Sequence, residues 1–197
     1  MHAPRRRFPL ALVALLLLAA LGLSACGDSH THVITGTYAG ESGANAPYLN
    51  VGPLIYEVQL SRQLNPHNPE DAAYMQGLTL AQRKLLPGQE WFGVFLQVYN
   101  NSNRERQALD SVTISDTQAN IYDPIVPAPN NLFAYRGGGV PHKNRIPTPG
   151  TVAADVGSQG EVLLFKISIV SLDNRPIELH ISNPEEPARS ASAELDV

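Results

Sequence analysis

The stretch Trp91-Phe92-Gly93-Val94-Phe95-Leu96-Gln97-Val98-Tyr99 decides the predicted fold. Its even-numbered positions, from Phe92 to Val98, are all large and apolar. An apolar row with a period of two lies on one face of a β-strand, so the stretch predicts a strand at the centre of a core. Trp91 has the opposite parity, and we therefore expect it on the outer face or at one end of the fold.

The same alternation recurs on both sides of this stretch. The segments in which apolar and polar residues alternate are 56–60, 112–114, 163–169 and 177–181, and a last strand is predicted at 191–197. A register slip by one residue would expose each apolar row to water, so the pattern also restricts the pairing. With a short strand expected near 132–135, the sequence predicts about seven strands.

Helices are expected only between the first two strands. Asn68 can cap a helix that begins at Pro69, and Gly77 is expected to end it. The segment 78–86 fits either a second helical turn or a strand. Proline and glycine are frequent between residues 125 and 157, which predicts a long loop there, and the run at 137–139 is expected to be a mobile part of it.

About seven strands with at most one or two short helices predict an all-β fold, an immunoglobulin-like antiparallel β-sandwich. The run 91–102, with Asn100, Asn101 and Ser102 at its end, resembles a core strand of the telokin-like immunoglobulin domains of bacterial surface lipoproteins. The resemblance continues through 115–122, 163–165 and 194–197, and the chain departs from it in having no second cysteine. It implies the sandwich fold and a surface location, and it implies no activity.

The amino-terminal segment is predicted to be an export signal. Arg5, Arg6 and Arg7 precede an uncharged, mainly apolar run over 10–23. As a helix this run would reach about 21 Å, which is shorter than the ~30 Å hydrocarbon core that a spanning helix must cross. We therefore expect a removable signal over residues 1–25, a flexible tether over 26–50 and one domain over 51–197.

Leu23-Ser24-Ala25-Cys26 is similar to the lipobox of bacterial lipoproteins. The resemblance implies cleavage before Cys26, attachment of lipid to its sulfur, and an extracytoplasmic protein on the cell membrane. Two or three acyl chains, palmitate among them, would anchor it stably. The alternative is an ordinary signal peptide cleaved nearby, which would leave Cys26 as a free thiol.

The charge of the exported chain excludes some partners. Export removes three of the 14 basic residues and no acidic one, which leaves 11 basic against 18 acidic residues and a formal charge of −7. This balance argues against nucleic acid as a partner, and it disfavours electrostatic attraction of the whole domain to anionic lipids.

Two polar loop clusters are the candidate partner-binding residues. The first includes Arg62, Asn65 and His67, beside Asn68, Glu70, Asp71 and Tyr74. The second is basic and aromatic and contains Tyr135, Arg136, His142, Lys143 and Arg145. Binding residues concentrate in loops on a rigid scaffold, although each cluster can also be read as a plain solvent-exposed connection.

No catalytic, phosphate-binding or metalloprotease motif occurs with its required spacing. His30 and His32 behind Asp28 are weak candidates for a metal, and no cofactor is expected. The sequence therefore predicts a non-enzymatic binding module, lipid-anchored and displaying its loops to a protein or envelope partner. The alternatives are an accessory protein that transports or delivers a small ligand or metal, and an enzyme whose site is assembled from distant residues.

Overall fold

The computed structural model describes residues 31–33, 48–183 and 189–195. Within these ranges the chain forms twelve β-strands, three short α-helices and one 3-10 helix. The strands are β1 Thr31–Val33, β2 Tyr48–Val51, β3 Leu54–Leu64, β4 Gln89–Asn100, β5 Arg106–Ala108, β6 Val112–Ser115, β7 Ile121–Tyr122, β8 Gly138–Val140, β9 Arg145–Ile146, β10 Glu161–Ser168, β11 Ile177–Ser182 and β12 Ser190–Leu195. The helices are α1 Pro69–Tyr74, α2 Leu80–Arg83, α3 Val152–Asp155 and the 3-10 helix Ile169–Leu172.

Two five-stranded sheets make up the sandwich. The first sheet has the order β1-β12-β11-β6-β7, and the second has the order β10-β4-β3-β2 with β9 beside the end of β4. Their ladders are antiparallel except that β1 runs parallel to β12. The small ladder of β5 with β8 completes the described strands. The predicted all-β sandwich is confirmed, although the described residues form twelve strands and four short helices where about seven strands and at most two helices were expected.

The main core lies between the two sheets and is formed by the predicted apolar rows. Phe92, Val94, Leu96 and Val98 of β4 are fully buried there. The matching rows of the other strands join them: Tyr56, Val58, Val112, Ile114, Leu163, Phe165, Ile167, Ile177, Leu179 and Ile181. The period-two alternation therefore identified the inward faces correctly.

A second apolar cluster covers the outer face of the second sheet. A β-bulge between Val58 and Leu60 shifts the register of β3, so Leu60 packs on the outer side instead of continuing the inward row. Trp91 and Phe95 also face outward from β4, where α1 and its neighbouring loops cover them. Because both faces of the second sheet are apolar, β4 is buried on both sides.

The segment between β3 and β4 provides this cover. Asn68 caps α1 by accepting a hydrogen bond from the Glu70 N–H, and Pro69 occupies the first turn, as predicted. A Thr79–Gln82 capping box begins α2, so the segment left open by the sequence is helical. Tyr74 of α1 packs edge-on against Phe95 with a ring-centroid distance of 5.0 Å.

Several local expectations differ from the structure. Ile169 begins the 3-10 helix and is half exposed instead of ending an inward row. The glycine run belongs partly to β8, and Gly137 has φ +65°, where a side chain would meet the Ala108 carbonyl oxygen. Thr31–Val33 and Tyr48–Asn50 lie in strands although they fall in the range of the predicted tether.

The sandwich has two ends, which we name after residues of β4. At the Asn100 end, Asn100 pairs with Leu54, and the Leu109 N–H donates to the Tyr56 hydroxyl, which joins the two sheets. At the Gln89 end, Gln89 pairs with Ser168, and the Tyr122 and Ser171 hydroxyls hydrogen-bond across the sheets. None of the described helices is long and apolar enough to cross a bilayer.

The pairing of β1 shows at which end of the sandwich Thr31 lies. Thr31 pairs with Ala191 and Val33 pairs with Ala193. Ala191 in turn pairs with Ile181, which pairs with Val112 where β6 begins, close to the Asn100 end. Thr31, where the described part of β1 begins, therefore lies at the Asn100 end. The predicted signal segment and Cys26 themselves lie outside the described residues.

Candidate functional site

A groove lies on the outer face of the second sheet at its Gln89 end. An open part of about 460 Å³, which we call the polar part because five of its nine lining residues carry a charged or amide side chain, is lined by Arg62, Gln63, Leu64, Asn65, Pro66, Asp71, Leu85, Glu90 and Trp91. It adjoins an apolar pocket of about 220 Å³ lined by Pro66, Ala72, Met75, Arg83, Leu85 and Trp91. The two parts share Pro66, Leu85 and Trp91. We call the combined depression the Trp91 groove.

An ion pair fixes one wall of the groove. The Arg62 guanidinium donates to both carboxylate oxygens of Asp71, at 2.5 and 3.1 Å. The Asn65 backbone N–H donates to the same carboxylate at 2.7 Å. Burial alone would raise the pKa of Asp71, but the bonds from Arg62 and Asn65 hold it below its ordinary value. The pair ties the end of β3 to α1 and keeps the wall in place.

Trp91 forms the floor shared by both parts. Its side chain is almost completely buried, and the Lys166 ammonium lies 5.2 Å from the ring centroid. The same ammonium donates to the Lys84 carbonyl at 2.8 Å, so it holds the segment 84–88 against the sheet. Trp91 is the only tryptophan of the chain, so its fluorescence reports on this site alone.

Glu90 supplies an acidic group to the polar part. Burial raises the pKa of Glu90, while a hydrogen bond from Gln63 opposes that rise. Gln63 Nε2 donates to Glu90 Oε1 at 3.0 Å. A partly desolvated carboxylate gains more from an approaching cation than a solvated one does. The wall of the groove is thus suited to a ligand with a basic group.

An exposed apolar rim lies beside the groove. Leu86, Ile169 and Val170 are 59, 50 and 62% exposed. The Ile169 N–H donates to the Gly88 carbonyl at 2.9 Å, which joins the two segments that carry them. Leu86 directly follows Leu85 of the groove wall. Several exposed apolar side chains beside a depression are typical of a protein-contact surface.

The structure divides the first predicted cluster. Arg62 and Asn65 line the groove, together with Asp71. His67 lies on the exposed loop beyond it, where its backbone N–H donates to Asn65 Oδ1 at 2.9 Å. Tyr74 is buried, and its hydroxyl donates to Glu70.

The second predicted cluster does not form one surface. Tyr135 is 3% exposed and its hydroxyl donates to the Leu109 carbonyl, so its side chain belongs to the core. Arg136 donates to the Ala128 carbonyl, whereas Arg145 donates to Gln97 on the outer face of the second sheet. His142 and Lys143 are exposed in the loop before β9 at the Asn100 end.

The described residues contain no cluster of three or more potential metal-ligating His, Cys, Asp or Glu side chains. His30 lies outside these residues, and His32 is described only as a backbone position of β1. The two weak metal candidates thus stay predictions.

Several groove residues were not among the predicted site residues: Gln63, Leu85, Glu90 and Trp91. Trp91 carried a usable signal, since it is a large aromatic of the wrong parity for the core row of β4. Leu85 and Glu90 carried no such signal in the sequence, because they line the groove only after the segment between β3 and β4 folds back over the sheet.

The sequence matches no protein-family model and no curated protein. The fold is similar to that of ycdA from Bacillus subtilis strain 168, itself proposed to be a lipoprotein, with 8% identity and a TM-score of 0.44. That match covers 79% of this chain and 39% of the ycdA chain, so this chain spans well under half of that protein. The yjhA protein of Bacillus subtilis is 10% identical over 83% of this chain and 99% of its own, with a TM-score of 0.47. A functionally unknown protein from Listeria monocytogenes EGD-e is 9% identical over 72% of each chain, with a TM-score of 0.42.

Proposed function

We propose that this chain is a lipid-anchored extracytoplasmic binding module that holds a segment of a partner polypeptide in the Trp91 groove. The observation that carries the proposal is the placement of the groove at the Gln89 end, whereas Thr31, from which the chain leads back to Cys26, lies at the Asn100 end. A module anchored through Cys26 would present the groove away from the membrane. The proposed role is binding and not catalysis.

The size of the apolar pocket supports a polypeptide as the occupant. Small-molecule sites usually enclose about 300–1,000 Å³. The apolar pocket offers about 220 Å³, which is enough for one large side chain. The adjoining polar part is open along its length, so it can accept the residues on either side of that anchor. A single apolar anchor with polar neighbours is a common mode of peptide recognition.

Charge determines which peptides fit. The charges of Arg62 and Asp71 neutralise each other within their ion pair. Glu90 is the other acidic residue of the polar part. The hydrogen bond described for its carboxylate comes from the neutral Gln63 and not from a cation. A lysine or arginine close to the apolar anchor would compensate this carboxylate, so we expect a peptide that combines one large apolar residue with a basic neighbour.

A peptide library tests this directly. We would select 12-residue peptides displayed on phage against the purified protein and titrate the enriched peptides by Trp91 fluorescence. The expected result is a set of peptides with an apolar anchor and an adjacent basic residue. Leu85→Asp should abolish their binding, and Glu90→Gln should weaken it about fivefold or more, because it removes one partly desolvated charge contact.

Lys143→Gln is the matched control, since it removes a charge at the opposite end of the sandwich and should leave the titration unchanged. Far-UV circular dichroism would verify that Leu85→Asp remains folded. Peptides that bind the Leu85→Asp variant as well as the native protein would refute the groove as the site. Binding of the apolar dye 1-anilinonaphthalene-8-sulfonate at the groove, with no peptide enriched, would favour a small ligand instead.

A further inference from the structure

Basic side chains gather at the Asn100 end, and we propose that this end docks on anionic lipid headgroups. Among the described residues it carries Arg104, Arg106, Lys143 and Arg189, against the acidic Glu105 and Asp110. This inference rests on the lipid anchor of the proposed function, because the anchor brings that end to the membrane. It differs from the expectation drawn from net charge, since the charged side chains described at this end are mostly basic.

Asn100 holds the two loops of this end together. Its side chain is completely buried, and Nδ2 donates to the carbonyls of Arg104, Val140 and Pro141. Its Oδ1 accepts from the backbone N–H and the hydroxyl of Ser102. The loop after β4 and the loop after β8 are therefore joined into one surface, and the backbone positions that carry their basic side chains are held relative to one another.

The basic side chains of this surface come from three loops. Arg104 and Lys143 are exposed on the two loops that Asn100 joins, and Lys143 Nζ donates to the Asn101 carbonyl at 2.6 Å. Arg189 is exposed before β12, close enough to the β2–β3 turn that a Cβ at Gly52 would lie 3.3 Å from its guanidinium. Their positive charges therefore lie on the same end of the sandwich.

The length of the upstream chain limits the distance to the membrane. Five peptide steps separate Cys26 from Thr31, and a fully extended chain covers at most about 3.5 Å per residue. Thr31 therefore lies within about 17 Å of a lipidated Cys26. Surface charges act over a Debye length of about 8 Å at physiological salt, and this short connection allows exposed arginine and lysine side chains at this end to approach the headgroups to within that distance.

Vesicle binding of residues 27–197, which contain every described strand and lack Cys26, tests the docking independently of lipidation. Sedimentation would compare vesicles of phosphatidylcholine with vesicles containing 30% phosphatidylglycerol, at 20 mM and 500 mM NaCl. We expect binding only to the anionic vesicles and only at low salt. Each basic residue near an anionic surface changes the partition coefficient about fivefold, so Arg104→Gln with Lys143→Gln should lower it about 25-fold.

Lys143→Gln alone should lower the partition coefficient about fivefold. Lys84→Gln is its control, with the same loss of one charge at the Gln89 end, and it should leave the partition coefficient nearly unchanged. Labelling with an amine-reactive reagent gives the orientation: Lys143 should be protected on anionic vesicles, whereas Lys84 should not. Equal effects of the two single lysine replacements, or the absence of any dependence on phosphatidylglycerol, would overturn the proposal. The mass of Cys26 in the full-length protein tests the lipid anchor separately, so either idea can fail without the other.

Discussion

Glu161 should make the protein less stable as the pH rises. It is the first residue of β10, half-buried opposite Leu96. Burial raises the pKa of Glu161 to about 7, and nearby Arg136 only partly opposes this. The unfolded chain releases the proton near pH 4.5, whereas the folded chain keeps it until about pH 7, so folding stability falls across this interval.

The size of the effect follows from the displacement of the pKa. A change from 4.5 to about 7 corresponds to about 3 kcal/mol at pH values above 7, and to about 2 kcal/mol after allowing for solvent screening of a half-buried group. Glu161→Gln removes the titration. The variant should therefore equal the wild type near pH 4.5 and exceed its free energy of unfolding by about 2 kcal/mol at pH 8.

Urea denaturation at pH 4.5, 6 and 8, followed by Trp91 fluorescence and far-UV circular dichroism, measures this difference. Glu105→Gln is the control because Glu105 is exposed, and it should reproduce the wild-type pH dependence. Arg136→Gln should make the dependence steeper, since it removes the opposing charge. The reasoning would be refuted if the free energy of unfolding of the wild type rose from pH 4.5 to 8 and that of Glu161→Gln rose in the same way.

Four further outcomes are expected. Arg62→Ala should lower the free energy of unfolding by about 3 kcal/mol, because it leaves the Asp71 carboxylate buried without its cation. In the same urea titrations, the decrease for the double variant Arg62→Ala with Asp71→Ala should be smaller than the sum of the decreases for the two single variants. The stability that this pair contributes should persist above pH 3.8 and disappear as the pH falls through the lowered pKa of Asp71. Acid titrations of the wild type and of the double variant would measure this loss. Asn100→Ala should cost about 3 kcal/mol because three carbonyls lose their donor, and hydrogen exchange should increase in the loops after β4 and β8. Cys26→Ser should abolish lipid attachment and release of the signal, which metabolic labelling with palmitate and intact-mass measurement would detect.

The sandwich was predictable because its core rows follow the strand period without interruption. In β4, β6, β10 and β11 the side chains at alternate positions meet between the sheets, as the sequence alone indicated. Asn68 and Pro69 likewise identified the start of α1, because capping depends on residues next to one another in sequence. Features set by short-range chemistry could be deduced from the chain.

Features set by contacts between distant segments could not. The bulge after Val58 moves Leu60 to the other face, and nothing in the alternation shows where a strand bulges. Trp91 was placed correctly on the outer side, but its burial depends on α1 folding back over the sheet. The glycine run pairs in β8 because β5 lies next to it, a neighbour that composition does not reveal.

The candidate site was predictable only in part for the same reason. Arg62 and Asn65 were selected as polar loop residues and do line the groove. Their companion Leu85 comes from the far end of the segment 65–88 between β3 and β4, and Glu90 comes from the start of β4. Only the folded chain brings these residues together. Tyr135 was selected by its residue type and its loop, but its ring fills space in the core.

The parallel pairing of β1 with β12 determines how the domain would carry mechanical load. In the proposed arrangement, a pull on the chain upstream of Thr31 would act along the strand axis of β1 and would be opposed by a partner held in the Trp91 groove at the far end of the sandwich. Under such shear the hydrogen bonds of the ladder are strained together, whereas a hairpin pulled apart from its open end loses them one after another. The domain would thus resist traction between a membrane and a partner better than it resists peeling.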